Sequence, residues 1–456
     1  MRAFALGAVL LAGCYRPAPA AGTPCSDRGT CPAPLSCVGN VCIDPDNPPG
    51  DAAIDACPDV SCVGNDLAGC GARFTCSLGC ADAAATTPAH CRVMVPSNGI
   101  TEALLAGATA DVTGLDLDFD TDTGEVTFDS GMPLRAPGVG VNAGIGFQIV
   151  DKMAVFTAHS WTVPAFVNGS GDDWDAGGAN ALVLYSATTI RVDGRIDVGA
   201  AGTGGGPGGA SGATTGSPGP FCRGKAGLWQ MAGYGEGGGG AGGRAAGGDG
   251  ARSNTTTFGT GGPMCALPST IPLAGGNGGG AGGVETAASP DVVHGGDGGG
   301  GGGALALVAM ESITFSATGN VCAPGEGGRT SVTGDGGGGG GSGGAILLES
   351  PVITLTAASA VTANGGGGAA PNTNNGTRGH VDDGGQATGG VFMAASGGKG
   401  GSGAAPTNGT NFTDATTARG GGGGGAGGRI ELKARTRVTM GAIVSPGTAL
   451  SDITTK

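Results

Sequence analysis

At three places in the chain an unbroken glycine run ends where a short alternating apolar segment begins. Gly298 to Gly303 leads into Leu305 and Leu307. Gly336 to Gly341, continued by Ser342-Gly343-Gly344, leads into Ile346 and Leu348. Gly420 to Gly425, continued by Ala426-Gly427-Gly428, leads into Ile430 and Leu432. A random linker has no reason to keep such a junction. Ordering glycine also carries the largest backbone entropy cost of any residue, so a chain rich in it must recover that cost or stay loose. With 104 glycines and 26 prolines among 456 residues, the composition excludes a coiled coil, a helical bundle and a polytopic membrane protein. The glycines lack an every-third register, which excludes collagen.

The alternating segments repeat. Leu182 and Leu184 precede Ile190 and Val192, then Ile196 and Val198. Leu305 and Leu307 precede Ile313 and Phe315, then Val321. Ile346 and Leu348 precede Ile353 and Leu355, then Val361. Ile430 and Leu432 precede Val438 and Met440, then Ile443. Trp161 and Val163 match Ile190 and Val192 in a fifth copy. Leu115, Leu117 and Phe119, followed by Val126 and Phe128, suggest a sixth. Each copy offers short strands with one apolar face that it cannot bury alone, and stacking the copies would make a continuous core. Residues 181–199 resemble one coil of a right-handed parallel β-helix. A β-sandwich or an irregular antiparallel sheet would show the same alternation. The glycine-rich insertions at 199–303, 325–344 and 364–428 have two readings. They are flexible loops, or they form the extended threefold helix that glycine shares with polyproline, about 3.1 Å per residue. In that helix glycine keeps its N–H, so parallel runs can bond sideways. In texture the arrangement is similar to the glycine-rich extracellular domain of anaplastic lymphoma kinase-type receptors.

The N-terminus specifies compartment. Arg2 precedes a short apolar stretch from Ala3 to Leu11, too short for the ~20 residues a spanning helix needs. It reads as a secretory signal. Leu11-Ala12-Gly13-Cys14 resembles the lipobox of bacterial lipoproteins, which implies cleavage before Cys14 and lipid attachment to it. Several acyl chains anchor stably where one is marginal. Tyr15 stands where many inner-membrane lipoproteins carry Asp, so the resemblance implies the outer membrane or the cell surface.

The chain has 14 cysteines. Cys25, Cys31, Cys37 and Cys42 form one group, and Cys57, Cys62, Cys70, Cys76, Cys80 and Cys91 a second. These stretches have little to bury, so crosslinks are the expected staple, with two bridges in the first module and three in the second. Connectivity stays open. Metal binding fits less well, because only Cys76 and Cys80 have ligand spacing. Cys222, Cys265 and Cys322 leave an odd thiol. The expected layout is a signal peptide at 1–13, a Pro/Ala tether at 14–24, a four-Cys knot at 25–43, a linker at 44–56, a six-Cys module at 57–95, a strand-rich domain at 96–198 and a glycine-rich repeat domain at 199–456. The whole resembles secreted glycine-rich lipoproteins encoded by myxobacteria. The lipobox, the cysteine modules, His90-Cys91 with Pro96-Ser97-Asn98-Gly99, and Ile196-Asp197-Val198 carry the resemblance. It implies an architecture and no activity.

The net charge is −14, with 22 acidic and nine basic residues before residue 199 and 14 against 13 after it. No basic face is available for nucleic acid. Asp116, Asp118, Asp120 and Asp122 alternate, and hard oxygen ligands so placed suit Ca²⁺, although no glycine occupies the position that an EF-hand loop requires. A solvated acidic strand face is the alternative, and no other cofactor is expected. Asp172, Asp173 and Trp174 offer an aromatic face among carboxylates, a pattern that suits a sugar ring, against an ordinary Asx-type loop. Nucleophile-elbow and phosphate-loop templates fail. The expectation is a non-catalytic, lipid-anchored surface protein with a structural or adhesive role, meeting membrane through its anchor and surface polysaccharide or matrix through its body. A glycan-binding or polysaccharide-cleaving β-helix and a flexible spacer are the alternatives.

Overall fold

The computed structural model describes residues 36–38, 41–43, 60–69, 72–76, 78–84, 87–165, 173–214, 222–227, 234–251, 259–265, 270–283, 295–331, 335–372, 374–413 and 418–456. Among them there is no α-helix, only a 3-10 turn at Glu102–Leu105. The chain divides into two compact units, Met1–Val93 with Thr455–Lys456, and Met94–Thr454.

The first unit is small and stapled. Ser36–Val38 and Val41–Ile43 form a hairpin that sets Cys37 opposite Cys42. Ser61–Val63, Asp66–Gly69 and Ala72–Thr75 form a three-stranded sheet. Disulfides join Cys62 to Cys80 and Cys76 to Cys91, across 18 and 15 residues. Loops of that length contribute about 3 kcal/mol per bridge in the chain-entropy account. Leu67, Ala89 and the Cys76–Cys91 bridge make up most of the core, so the crosslinks supply what few apolar residues cannot. Cys25, Cys31, Cys57 and Cys70 lie outside the described residues, as do Cys14 and the signal segment.

The second unit is built on three sheets. The first sheet holds, in spatial order, Gly140–Asn142, Ile145–Val150, Met153–Ala158, Ala181–Ser186, Ala304–Ala309, Ala345–Glu349, Arg429–Lys433 and Ala449–Ser451. The second holds Asp111–Thr113, Ser160–Val163, Thr189–Val192, Ser312–Phe315, Val352–Leu355 and Thr436–Thr439. The third runs from Pro133–Arg135, Val126–Phe128 and Leu117–Asp120 to Asp173–Gly177, Arg195–Asp197, Asn320–Cys322, Ala360–Thr362 and Ile443–Ser445. From residue 153 onward the chain visits the first, second and third sheets in turn. It then returns to the first sheet, one strand further along, and pairs in parallel. Among the described residues no sheet closes on itself.

Register follows side-chain character. Leu182, Leu305, Ile346 and Ile430 align across the first sheet. Trp161, Ile190, Ile313 and Ile353 align across the second, and Trp174, Ile196, Val321, Val361 and Val444 across the third. All but Val444 are buried in one core, which supports strand burial at roughly 25 cal/mol per Å² of apolar surface. Phe119, Phe147, Phe156, Trp161 and Trp174 close its early end, with Phe147 and Phe156 centroids 4.9 Å apart.

Two alignments read from sequence are corrected. In the last copy, Arg437 and Thr439 stand opposite Ile353 and Leu355, with Val438 and Met440 one step out of register and Met440 exposed. Val444, not Ile443, stands opposite Val361. The final strands meet a neighbour on one side only, so apolar character matters less there and main-chain pairing sets the register. Val126–Phe128 is no new copy. It returns antiparallel to Leu117–Asp120 in the same sheet, and Leu115 is exposed.

The central strands of the first sheet, Ala181–Ser186, Ala304–Ala309 and Ala345–Glu349, are buried on both faces. On its outer face Glu349 is fully buried. It accepts hydrogen bonds from the Ser97 amide at 2.9 Å and the Ser97 hydroxyl at 2.8 Å, with Lys433 Nζ at 3.3 Å. The Pro96-Ser97-Asn98-Gly99 turn is thereby pinned to the sheet. Arg135 is buried and donates to the carbonyls of Ile145 at 3.2 Å, Gly138 at 2.6 Å and Gly140 at 2.8 Å. Desolvation lowers its pKa, while its guanidinium sits 5.3 Å from the Phe147 ring centroid.

The glycine insertions leave third-sheet strands and return to first-sheet strands. They are ordered through hydrogen bonds that advance in steps of three. Gly336, Gly339 and Ser342 donate to Gly283, Gly280 and Asn277. Gly337, Gly340 and Gly343 donate to Gly420, Gly423 and Ala426. Gly338, Gly341 and Gly344 donate to Arg329, Glu326 and Ala323, and all nine bonds measure 2.8–3.0 Å. The same run accepts from Gly296, Gly299 and Gly302, from Gly238 and Ala241, and from Ala369 and Gly366. One segment therefore bonds six neighbours. A Cβ on Gly338 would collide with the carbonyl oxygen of Asp297, and one on Gly422 with that of Gly338. Cys222 and Cys265, on two such segments, form a disulfide.

Candidate carboxylate site

The third sheet carries the densest polar chemistry. Alternation sends Leu117, Phe119, Trp174 and Ile196 into the core. It therefore sends Asp118, Asp173, Asp175, Arg195 and Asp197 to the other face. Parallel pairing then lines up Asp118, Asp175 and Asp197 on neighbouring strands, followed by Cys322, Thr362 and Ser445. Adjacent strands lie about 4.8 Å apart, so the three carboxylates follow each other at that step.

Their environments differ. Asp197 is nearly buried. It pairs with Arg378 Nη2 at 2.7 Å and accepts from the Gly199 amide at 2.8 Å. Asp173 pairs with Arg195, whose Nε lies 2.6 Å away. Asp175 stands between Asp118 and Asp197. Its pKa is pushed up to about 6 by desolvation first, then by the charges of Asp197, Asp173 and Asp118, with Arg378 opposing. Desolvation and Asp129 also raise Asp118. A cavity of about 320 Å³ lies beside Asp118, lined also by Asp120, Asp122, Glu125 and Thr127. Cys322 is fully buried and free, and burial pushes its thiol well above the usual range.

Of the four aspartates considered as Ca²⁺ ligands, Asp118, Asp120 and Asp122 line one cavity. Asp116 precedes the strand at φ 54°. Asp120 caps a turn, accepting from the Asp122 amide at 2.8 Å and the Thr123 amide at 3.0 Å. Burial opposes its ionisation, but these bonds outweigh that and lower its pKa. Asp122 accepts from the Ala179 amide and from Asn180 Nδ2, each at 2.9 Å. Among the described residues no group of three or more His, Cys, Asp or Glu side chains converges to hold a metal.

Trp174 is a correction. It is fully buried, donates to the Gly114 carbonyl at 2.8 Å and packs on Phe119 and Trp161, so it presents no face to a sugar. The run Asp173-Trp174-Asp175 is a strand, and alternation puts Trp in and the acids out. Asp172 lies outside the described residues. Sequence reasoning met Asp175 only as one of the acids beside Trp174, and it missed Asp197 and Arg378. The available signal was the repeated Asp-Ala-Gly at 175–177 and Asp-Val-Gly at 197–199.

No helix among the described residues is long and apolar enough to cross a membrane. No family model, curated protein or solved structure matches the chain.

Proposed function

We propose that the chain is a lipid-anchored, extracytoplasmic scaffold of the outer membrane or cell surface, with a structural or adhesive role and no catalysis. On this reading the body is a right-handed parallel β-helix with a polyglycine-II bundle along one corner, and the cysteine modules form a stalk. The observation that carries it is the six-neighbour bonding of residues 336–344. Such a bundle is stiff, presents little side-chain chemistry and serves a load-bearing or adhesive surface. A flexible spacer would leave those amides to water. Cys14 would carry the lipid. Mass spectrometry of the N-terminal peptide tests the anchor, and an unmodified Cys14 overturns it. Limited proteolysis tests the scaffold, and rapid loss of everything beyond residue 199 overturns it.

A second reading, carbohydrate contact, is favoured by one observation, the Asp118–Asp175–Asp197 row, whose Asp118 end lines an open cavity. A carboxyl whose pKa is pushed up to about 6 among other carboxyls is the pattern of an acid–base pair on a sugar. A glycan array with an Asp175→Asn, Asp197→Asn control tests it. Binding that the double variant abolishes supports the reading, and the absence of any bound glycan removes it.

A further inference from the structure

The two ends of the three-sheet stack are finished differently. At the first end the outermost strands of the first and third sheets, Gly140–Asn142 and Pro133–Arg135, pair antiparallel with their neighbours. The buried Arg135 closes the core between them, donating from the third sheet to the carbonyls of Gly140 and Ile145 in the first. Only the second sheet ends there on a bare parallel strand, Asp111–Thr113.

The last end has no such cap. Among the described residues all three sheets finish there on strands paired along one side only, Thr436–Thr439, Ile443–Ser445 and Ala449–Ser451. Leu450 stands opposite the buried Leu432, in an inward position, yet it is 62% exposed. Stacked repeats need a polar cap on the terminal copy, and edge strands are commonly blunted by lysine or proline. Thr436-Arg437-Val438-Thr439 contains neither.

What the last end lacks, the first end supplies. The second sheet is parallel from Asp111–Thr113 through to Thr436–Thr439. Asp111–Thr113 of a second copy can therefore pair with Thr436–Thr439 and continue the ladder in the same direction. The row Val112, Trp161, Ile190, Ile313, Ile353, Arg437 sets the register. It brings a second Val112 beside Arg437, and a second Asp111 beside Thr436, whose sequence neighbours are Arg435 and Arg437. Apolar surface is available on both sides. Met132 and Val139, next to the outermost strands of the first end, are 63% and 76% exposed, and Met440 at the last end is 71% exposed. Charge is complementary as well. Residues 111–150 carry seven acids and one arginine, the buried Arg135, whereas residues 429–451 carry four bases and one acid. Asp452, just beyond, pairs with Arg437 at 3.1 Å.

We infer that the last end of one copy docks on the first end of a second copy, extending the second sheet by parallel strand pairing. Such a head-to-tail contact does not close and builds an open filament. Last end against last end would instead oppose two Arg435 side chains. The inference is independent of the lipid anchor and of the role of the carboxylate row.

Sedimentation velocity of the full chain tests this. The weight-average sedimentation coefficient is expected to rise with protein concentration and to fall back when salt screens the charges. Asp111→Lys disables the first end and Leu450→Lys the last. Both change exposed side chains, and native Trp161 and Trp174 fluorescence checks each fold. Each variant alone is expected to associate at least about ten-fold more weakly, because its lysine meets like charge or apolar surface at the interface. An equimolar mixture of the two is expected to form a one-to-one dimer and nothing longer. In it the intact last end of the Asp111→Lys chain meets the intact first end of the Leu450→Lys chain. An unaltered chain that stays monomeric at every concentration would overturn the inference. So would a mixture that stays monomeric, or association undiminished in either variant, as lipid-driven association would be.

Discussion

The body holds two interiors made by opposite means. Between the sheets, Leu305, Ile346, Phe156 and their neighbours fill space with side chains, and water is excluded by apolar volume. In the glycine bundle the interior is main chain. Backbones approach so closely that N–H and C=O groups of six neighbours satisfy one another. The first interior tolerates small changes of volume by repacking. At the glycine positions of the second there is no side chain to move, so a carbon added there meets a carbonyl directly. The comparison shows that burial requires satisfied backbone groups, and that side-chain hydrophobicity is only one way to bring them together.

Substitutions can break this contrast in a fixed order. Phe156→Ala should cost most, about 4 kcal/mol, because it empties the aromatic cluster. Chemical denaturation should show the loss across the whole unit Met94–Thr454. Gly338→Ala adds one methyl, which an apolar core would accommodate. Here it should cost about 2 kcal/mol and should lower protection of segments 296–302 and 420–426, which bond the same run. A loss below about 0.5 kcal/mol would mean that the bundle yields as loops do. Ala426→Gly removes a buried methyl from the bundle and should cost only about 0.7 kcal/mol, chiefly through the unfolded chain.

The carboxylate row adds an effect that depends on pH. Asp175 has a folded pKa of about 6, above its ordinary value, so the folded state binds the extra proton between about pH 4 and 6. Stability is therefore full below that window and falls as pH rises through it. Asp175→Asn should remove that slope, and carbon-13 NMR of the Asp175 carboxyl should titrate near pH 6. A midpoint near pH 4 would mean that neither burial nor the neighbouring charges act on it.

Much of the fold was legible because alternation is a local signal. The pairs Leu182/Leu305 and Ile313/Ile353 could be matched by spacing alone. The last copy was not, since Arg437 and Thr439 occupy inward positions at an edge where apolar character is no longer required. The site was less legible. Asp118, Asp175 and Asp197 meet through strand pairing between distant segments, and adjacent acids around Trp174 read as an exposed turn until alternation placed the ring inside. The glycine was ambiguous for a different reason. Its composition is the same in a loop and in a bundle, and only partners spread from Gly238 to Ala426 distinguish the two.

Hydrogen–deuterium exchange over residues 336–349 puts the central claim to its most direct test. That stretch joins a glycine run to the strand Ala345–Glu349, so bundle and sheet can be compared in one experiment. Amides 336–344 are expected to exchange as slowly as those of 345–349. Exchange of the glycine amides at the rate of an unstructured chain, beside a protected strand, would contradict the account.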